Sequence, residues 1–196
     1  MYMTKVIDFY FDFISPYSYL AYKKLIKINK NNNLNIAYKP ILLGGLHKLG
    51  EITPPAFNKL KMKNMKNDCE LIAKKNDIKF MWNVKFPLNS LYLMRGYLVL
   101  DTTIKSKFFD VCFDAYWKNN LDISQKENLI RILEECGVDK ENFFKLIENQ
   151  KTKDELKDLT NLAFKSDVFG APTFVVNKKI FWGQDRLEYA LDEYNS

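Results

Sequence analysis

Strand-like sequence is confined to the two ends of this 196-residue chain, and helical patterns separate the ends. The β-branched and aromatic run 6–11 predicts a first strand. Ser15-Pro16 follows at once, a pair typical of a helix N-cap and first turn, and the helix is expected to continue to about residue 30. The stretch 34–38, stopped by a proline, predicts a second strand. A strand, a helix and a strand in this order predict a right-handed parallel crossover.

Helical patterns fill the middle of the chain. Apolar residues recur there at helical spacing, and they predict helices over roughly 56–75, 89–101, 103–118, 124–136 and 152–166. Two capping-box patterns, Ser124 to Glu127 and Thr152 to Glu155, each open one of these segments. The middle of the chain is therefore expected to form a helical block.

The C-terminal end returns to strand character. Residues 173–176 predict a strand, residues 177–179 a turn, and residues 180–182 a short partner strand. Asp185 to Glu188 is a third pattern of the capping-box kind, and it predicts the start of a final helix.

The order of these elements defines the expected architecture. It runs β-α-β, then the helical block, then β-β-α, which is the order of a thioredoxin fold with a helical insertion between its halves. The predicted fold class is therefore α/β. We expect a discontinuous thioredoxin-like domain of residues 1–45 plus 167–196, with residues 46–166 as an inserted all-helical domain.

Charge and cysteine content argue against several classes of function. The net charge is +6, but much of the positive charge lies in lysine- and asparagine-rich stretches without a nucleic-acid-binding motif. No apolar run approaches the roughly 18 residues of a spanning helix. Cys69, Cys112 and Cys136 form no metal pattern and no disulfide framework, and any histidine chemistry would rest on His47 alone. We expect a cytoplasmic protein with no nucleic-acid, membrane or metal partner.

Ser15 is the first candidate for chemistry. It opens the turn where redox enzymes of this fold carry Cys-x-x-Cys, but Ser15 and Ser18 occupy both ends, so dithiol exchange is not expected. The free N–H groups of a helix N-terminus attract an anion. A hydroxyl donor at the same point would stabilise a bound thiolate, whose thiol has an ordinary pKa of about 8.5. The alternative is that Ser15 only caps its helix.

Ala171-Pro172 is the second candidate. A proline directly before a strand in the second half of this fold predicts a cis peptide bond. That geometry would leave the N–H and C=O of Ala171 free to pair with a peptide-like ligand. The alternative is an ordinary proline at the entry to a strand.

Two groups of charged residues complete the candidates. Asp185 could hold a ligand ammonium, and Arg186 a carboxylate or a partner chain, whereas the alternative is a helix cap with a surface ion pair. Lys61 belongs to a series of lysines at the start of one predicted helix. These lysines could take the carboxylate of a small anionic ligand, and the alternative is a solvated helix face.

Taken together, these residues resemble one known family. The matching stretches lie in order along nearly the whole chain, and they are Phe11–Ala21, Lys39–Gly45, Phe86–Leu91 with Arg95, Ala115–Trp117, Asp122–Ser124, Phe169–Val176 and Phe181–Arg186. This pattern resembles 2-hydroxychromene-2-carboxylate isomerases and kappa-class glutathione transferases. The resemblance implies a thioredoxin domain with an inserted helical domain, a homodimer, and glutathione as cofactor.

The resemblance also implies roles for the candidate residues. Ser15 would be the catalytic serine, hydrogen-bonded to the glutathione sulfur. Pro172 would be the cis-proline, and the backbone of Ala171 would pair with the cysteinyl part of the tripeptide. Asp185 would hold the γ-glutamyl ammonium, and Lys61 falls near a family lysine that supports the ligand.

The expected function is a glutathione-dependent isomerase in which the bound thiolate adds reversibly to a conjugated carbonyl compound. The substrate would be a small electrophile, an aromatic one among the candidates. Two alternatives remain: a general kappa-class-like transferase or peroxidase, and a non-catalytic thioredoxin-fold protein that binds glutathione or a peptide. The family often has Asn where Glu51 falls and Tyr where Asn64 falls, which leaves the substrate open.

Overall fold

The two ends of the chain build one mixed sheet of four strands. The structure is a computed structural model that describes residues 5–196. The strands are β1 (Ile7–Phe11), β2 (Ile36–Pro40), β3 (Thr173–Val176) and β4 (Lys179–Trp182), and their order in the sheet is β2-β1-β3-β4. β1 and β2 are parallel, whereas β3 runs antiparallel to both β1 and β4. The predicted α/β class and thioredoxin fold are confirmed.

The crossover between β1 and β2 is α1 (Pro16–Asn32). It begins as predicted, with Ser15 as N-cap and proline in its first turn, and it ends at Asn33 in the left-handed conformation. β2 starts two residues later than predicted and includes Pro40, the residue that was predicted to stop it. An edge strand tolerates proline because one side of it makes no ladder hydrogen bonds.

Eight further helices follow within the described chain. They are α2 (Leu43–Leu49), α3 (Lys59–Lys75), α4 (Leu91–Val99), α5 (Thr102–Trp117), α6 (Lys126–Cys136), α7 (Lys140–Glu148), α8 (Gln150–Lys165) and α9 (Leu187–Asn195). Two short 3-10 helices, Pro55–Phe57 and Gln184–Arg186, precede α3 and α9. No helix of residues 5–196 is long and apolar enough to cross a membrane.

The three capping-box predictions are wrong in detail. The N-cap of α6 is Gln125 rather than Ser124, and the N-cap of α8 is Asn149, whose side chain accepts from the N–H of Lys151. Thr152 lies inside α8 and is buried. Asp185 lies in the 3-10 helix before α9 and caps no α-helix. In each case the helix starts one to three residues away from the predicted cap, at another polar residue. The local sequence pattern does not distinguish that residue from the predicted one.

Aromatic side chains join the sheet to the helices. Phe11 on β1 and Phe109 on α5 have ring centroids 4.5 Å apart, and Phe109 lies at the same distance from Tyr22 on α1. The indole N–H of Trp117 donates to the carbonyl of Phe13 at 2.9 Å, just beyond the end of β1. The helices are thus packed directly against the end of the sheet that carries Ser15. The predicted domain boundaries stay a prediction.

Candidate active site

Ser15 lies in a tight turn between β1 and α1. Its N–H donates to the carbonyl of Asp12 at 3.0 Å, and its side chain is almost fully buried. The Oγ atom accepts from the N–H of Ser18 at 3.1 Å, so Ser15 does cap its helix. The same hydroxyl donates to the carbonyl of Ala171 at 2.9 Å, 156 residues away. Ser15 therefore joins the two halves of the fold as well as capping α1.

The peptide bond between Ala171 and Pro172 is cis, as predicted. The expectation that both polar groups of Ala171 are free is wrong for the carbonyl, because Ser15 occupies it. In residues 5–196 the N–H of Ala171 has no hydrogen-bond partner. The carbonyl of Pro172 accepts from Gly183 at 2.9 Å. Hydrogen bonds therefore run from Ser15 through the cis-proline segment to the turn that carries Asp185.

Asp185 and Arg186 lie at the open side of this turn. Their side chains are about half exposed, and the Arg186 Nη2 atom lies 3.2 Å from the Asp185 Oδ2 atom. The surface ion pair, which was the alternative interpretation of these two residues, is thus present. Gly183 has φ +114°, and a Cβ atom there would lie 2.5 Å from the Asp185 Oδ1 atom. Only glycine therefore fits this position without a shift of the Asp185 carboxylate.

Lys24 holds the Asp185 turn against α1, a contact that the sequence analysis missed. Its Nζ atom donates to the carbonyl of Gln184 at 2.8 Å and to the Oε1 atom of Gln184 at 2.7 Å. Burial lowers the pKa of Lys24, while the charges of Glu188 and Asp185 oppose that shift. These two acidic groups therefore help to keep Lys24 protonated.

Lys61 occupies the first turn of α3, and Tyr17 connects that helix to the site. The Tyr17 hydroxyl donates to the Asp68 Oδ2 atom at 2.8 Å. Burial and the Asp68 carboxylate raise the pKa of Tyr17, and the charge of Asp185 adds to this shift. Lys61 precedes Asp68 by seven residues, which is close to two turns and about 10 Å along the helix. Lys61 thus shares the α3 face that meets the start of α1, although it is exposed and no contact in the described chain links it to Ser15.

Asp12 is a buried carboxylate beside Ser15 that the sequence analysis did not select. Its Oδ1 atom accepts from the N–H of Ile14 at 3.1 Å, and its Oδ2 atom accepts from the N–H of Leu43 at 2.8 Å. Burial raises the pKa of Asp12, while hydrogen bonds from Ser90, Leu43 and Ile14 oppose the shift. The sequence does carry a signal for this buried carboxylate, namely a charged residue inside the apolar run Phe9–Phe13. A charged group in such a run needs hydrogen-bond partners when it is buried.

The arrangement offers hydrogen-bond donors and charged groups to a small polar ligand. A hydroxyl lies at the N-terminus of α1, and the unpaired N–H of Ala171 lies next to the carbonyl that this hydroxyl contacts. The exposed Asp185 carboxylate and the exposed Lys61 lie on two elements that each contact α1. Within residues 5–196 no group of histidine, cysteine or acidic side chains is placed to hold a metal ion.

The sheet order and the cis-proline define a thioredoxin-fold protein with serine at both positions where redox members carry cysteine. A family model described as a DSBA-like thioredoxin domain matches residues 6–195, and the chain belongs to that family.

The chain is also similar to named relatives. It is 29% identical to a 2-hydroxychromene-2-carboxylate isomerase of Sphingobium xenophagum over 194 residues, with 98% of both chains covered. It is 25% identical to glutathione S-transferase kappa 1 of Homo sapiens, over 95% of this chain and 89% of that one. A solved structure of 2-hydroxychromene-2-carboxylate isomerase aligns with a TM-score of 0.88 at 25% identity, over 97% of this chain and 94% of that one.

These matches confirm the resemblance and the prediction of an enzyme, since the relatives are named as isomerases and transferases. They do not assign roles to individual residues. The roles of Ser15, Lys61, Ala171, Pro172, Asp185 and Arg186 stay predictions.

Proposed function

We propose that the protein is a glutathione-dependent isomerase of the 2-hydroxychromene-2-carboxylate isomerase type. The observation that carries the proposal is the Ser15 hydroxyl, which lies at the N-terminus of α1 and 2.9 Å from the carbonyl before the cis-proline. A bound thiolate is stabilised by a nearby hydrogen-bond donor, and a bound peptide pairs with free backbone groups. Ser15 and the adjoining backbone of Ala171 supply both. The isomerase and transferase names of the relatives support the same reaction class.

Each candidate residue has a defined task in this proposal. The Ser15 hydroxyl donates a hydrogen bond to the sulfur. The unpaired N–H of Ala171 donates to a peptide carbonyl of the tripeptide. Asp185 binds the γ-glutamyl ammonium. Arg186 and Lys61 supply positive charge for the carboxylates of the ligand. All four side chains are of the right chemical type, since the ligand carries a thiol, an amine, two carboxylates and two peptide bonds.

Glutathione supplies a thiolate that can add reversibly to a conjugated carbonyl compound, which permits rotation about a bond in the substrate before the thiol is released. Ser15 stabilises the negative charge through a charge-assisted hydrogen bond. The N-terminus of α1 adds the positive end of a helix dipole. Ala171 and Asp185 fix the ligand so that its sulfur stays at Ser15.

A general glutathione transferase or peroxidase is the second candidate. The kappa-class name of the human relative favours it, and the same residues would serve. A panel of a chromene carboxylate, chloro-dinitrobenzene and a hydroperoxide separates the two enzymes. Binding of glutathione without turnover on any of these compounds would instead favour a non-catalytic binding protein.

The first test is calorimetric titration with reduced glutathione. We expect saturable binding, and a dissociation constant about two- to fivefold higher for Asp185→Ala, because an ion pair with a half-exposed carboxylate contributes roughly 0.5–1 kcal/mol. Asp158→Ala is the matched control, since Asp158 is an exposed aspartate on α8. Equal affinity for both variants would contradict the role of Asp185, and no binding of the wild type at millimolar glutathione would contradict the proposed cofactor.

The second test removes the Ser15 hydroxyl. In Ser15→Ala the thiolate loses a charge-assisted donor, so we expect turnover at neutral pH to fall roughly 10- to 100-fold while glutathione affinity stays within about threefold. Ser18→Ala is the matched control, because the Ser18 hydroxyl is buried and has no partner in the described chain. Unchanged turnover in Ser15→Ala would contradict the catalytic role.

A cytoplasmic homodimer is part of the same proposal. Buried thiols at Cys69, Cys112 and Cys136, none of them in a disulfide, support a reducing compartment. An exposed apolar patch supports a dimer: Phe169 and Trp182 are 40% and 53% exposed, and their ring centroids lie 4.8 Å apart. Sedimentation equilibrium should give about twice the chain mass of 23.2 kDa, and a monomer at micromolar concentration would contradict the dimer.

A further inference from the structure

The Ser15 hydroxyl makes two hydrogen bonds within the protein. A serine hydroxyl has one hydrogen to donate and lone pairs to accept with. The hydrogen of Ser15 goes to the Ala171 carbonyl at 2.9 Å, and the oxygen accepts from the N–H of Ser18 at 3.1 Å. Ser15 therefore cannot donate to a thiolate while it still donates to Ala171.

The partner that Ser15 would leave behind is buried. Ala171 is 9% exposed, and Ser15 is the donor found for its carbonyl within residues 5–196. Loss of the donor to a buried carbonyl makes the state without that hydrogen bond less favourable, by roughly tenfold or more in the equilibrium constant between the two states. Stabilisation of a thiolate by Ser15 is thus opposed by the cost of an unpaired carbonyl at Ala171.

A ligand that brings its own N–H removes this opposition. On the proposed function, on which this inference rests, the cysteinyl backbone of the ligand lies along Ala171. We propose that the Ser15 hydroxyl changes its hydrogen-bond acceptor from the Ala171 carbonyl to the ligand sulfur only when the ligand donates an N–H to that carbonyl. The hydrogen stays bonded to the Ser15 oxygen throughout. The cysteinyl N–H would then control the charge of the sulfur as well as contributing to affinity.

This exchange selects a chemical class of thiol. A peptide thiol offers sulfur and N–H together, so it can be ionised in the site without leaving a buried acceptor unpaired. A simple thiol such as 2-mercaptoethanol lacks the N–H and would stay protonated. The site would therefore activate cysteinyl peptides and leave other small thiols inert, even where they reach Ser15.

The test compares glutathione with its depsipeptide, in which the cysteinyl N–H is replaced by an ester oxygen. Binding of each compound is measured by calorimetry across pH, and bound thiolate by absorbance near 240 nm. The rise of affinity with pH gives the ionisation constant of the bound thiol even for a weakly bound ligand. We expect the thiol ionisation constant to be about tenfold smaller for the bound ester than for bound glutathione. Repulsion between the ester oxygen and the Ala171 carbonyl lowers affinity in both charge states and so does not affect this ratio.

Two variants show whether Ser15 carries the effect. In Ser15→Ala the ratio between the two ligands should fall to about one, because no hydroxyl hydrogen is left to exchange. Ser18→Ala should keep the ratio of about ten. Thermal melts and circular dichroism of both variants establish that they fold, and Ser15→Thr, which keeps the hydroxyl, should retain the ratio.

Each other outcome overturns the exchange. Equal ionisation constants for glutathione and the ester in the wild type would do so while the proposed function stands. A tenfold ratio that persists in Ser15→Ala would show that the N–H acts by another route. A weakly bound ester whose affinity rises with pH as steeply as that of glutathione would assign the N–H a role in affinity alone. If glutathione itself does not bind, the proposed function fails together with the inference.

Discussion

At the scale of single residues, Asp12 organises the turn that presents Ser15. Its two carboxylate oxygens accept from two different backbone N–H groups, one in its own turn and one at the first residue of α2. The side chain is fully buried, so either N–H group would lose its partner in the apolar interior if one oxygen were replaced. Asp12 is thus a positioning residue, which acts on the reaction through the backbone around Ser15.

Asp12→Asn should destabilise the protein by about 1–3 kcal/mol, because the amide NH₂ would face a backbone N–H in place of an acceptor. The raised pKa of Asp12 adds a pH dependence. Stability that comes from a raised folded-state pKa is present below the unfolded pKa and is lost as pH rises through the folded one. Urea unfolding should therefore show a larger cost of Asp12→Asn at about pH 4 than at about pH 7.

Asp122→Asn is the matched control for this pH trend. A hydrogen bond from Ser124 is the largest cause that lowers the pKa of Asp122. The stability from a lowered pKa is present above the unfolded pKa and is lost as pH falls. The cost of Asp122→Asn should thus shrink toward low pH, opposite to Asp12→Asn. The same trend for both variants would contradict the assigned pKa direction of Asp12.

At the scale of elements, one hydrogen bond ties α3 to the start of α1. Tyr17 and Asp68 lie 51 residues apart in sequence, and their contact joins α3 to the first turn of α1. We expect Tyr17→Phe to weaken glutathione binding severalfold without changing the thiol pKa of the bound ligand. Because the pKa of Tyr17 is raised, its hydroxyl stays protonated and the effect should not depend on pH in the neutral range.

A double-mutant cycle with Asp68→Ala measures this contact directly, because alanine leaves no side-chain acceptor for the Tyr17 hydroxyl. The coupling energy should be about 0.5–1.5 kcal/mol in urea unfolding, as for a typical hydrogen bond. Tyr92→Phe is a suitable control, because Tyr92 is an exposed tyrosine on α4 with no hydrogen bond in the described chain. Additive effects of Tyr17→Phe and Asp68→Ala would show that the contact contributes nothing to the placement of α3.

The sequence predicts elements well where a local signal marks them. The Ser15 cap, the four strands and the long helices α3, α5 and α6 follow from composition and spacing. α2 was missed because Gly44 and Gly45 indicated a loop. Both glycines nevertheless lie in a helix. A Cβ atom at Gly44 would meet nothing within 4 Å, and one at Gly45 would make ordinary contacts at 3.6 Å or more. α7 was not predicted, although Asp139 caps it and Phe143 and Ile147 are buried.

The candidate site is predictable only in part for a similar reason. Ser15 and the cis-proline carry local signatures, so their types could be read from the sequence. The contacts of Lys24 with Gln184 and of Tyr17 with Asp68 join residues 160 and 51 positions apart. Such contacts depend on how the elements pack, and no spacing rule encodes them. The hydrogen bond from Ser15 to the Ala171 carbonyl is another contact of this kind, because it also depends on how distant elements pack.

At the scale of the whole molecule, the sheet and the helices share one aromatic core. The ring of Phe109 on α5 contacts Phe11 on β1, Tyr22 on α1 and Tyr38 on β2, with centroids 4.5, 4.5 and 4.8 Å away. The insertion thus supplies part of the core that covers the sheet. This packing argues that the helical block and the thioredoxin-like part fold together.

Phe109→Ala tests that unity. Truncation of a buried phenylalanine costs about 3–5 kcal/mol, and Phe57→Ala, which alters a 72% exposed ring, should change stability by less than about 0.5 kcal/mol. If the core is shared, Phe109→Ala lowers the hydrogen-exchange protection of β1 and α5 by equal free energies, and calorimetry shows one transition. If α5 loses protection while β1 keeps it, residues 46–166 unfold independently. The insertion would then be a domain in its own right, and Ser15 would lie at an interface between two domains.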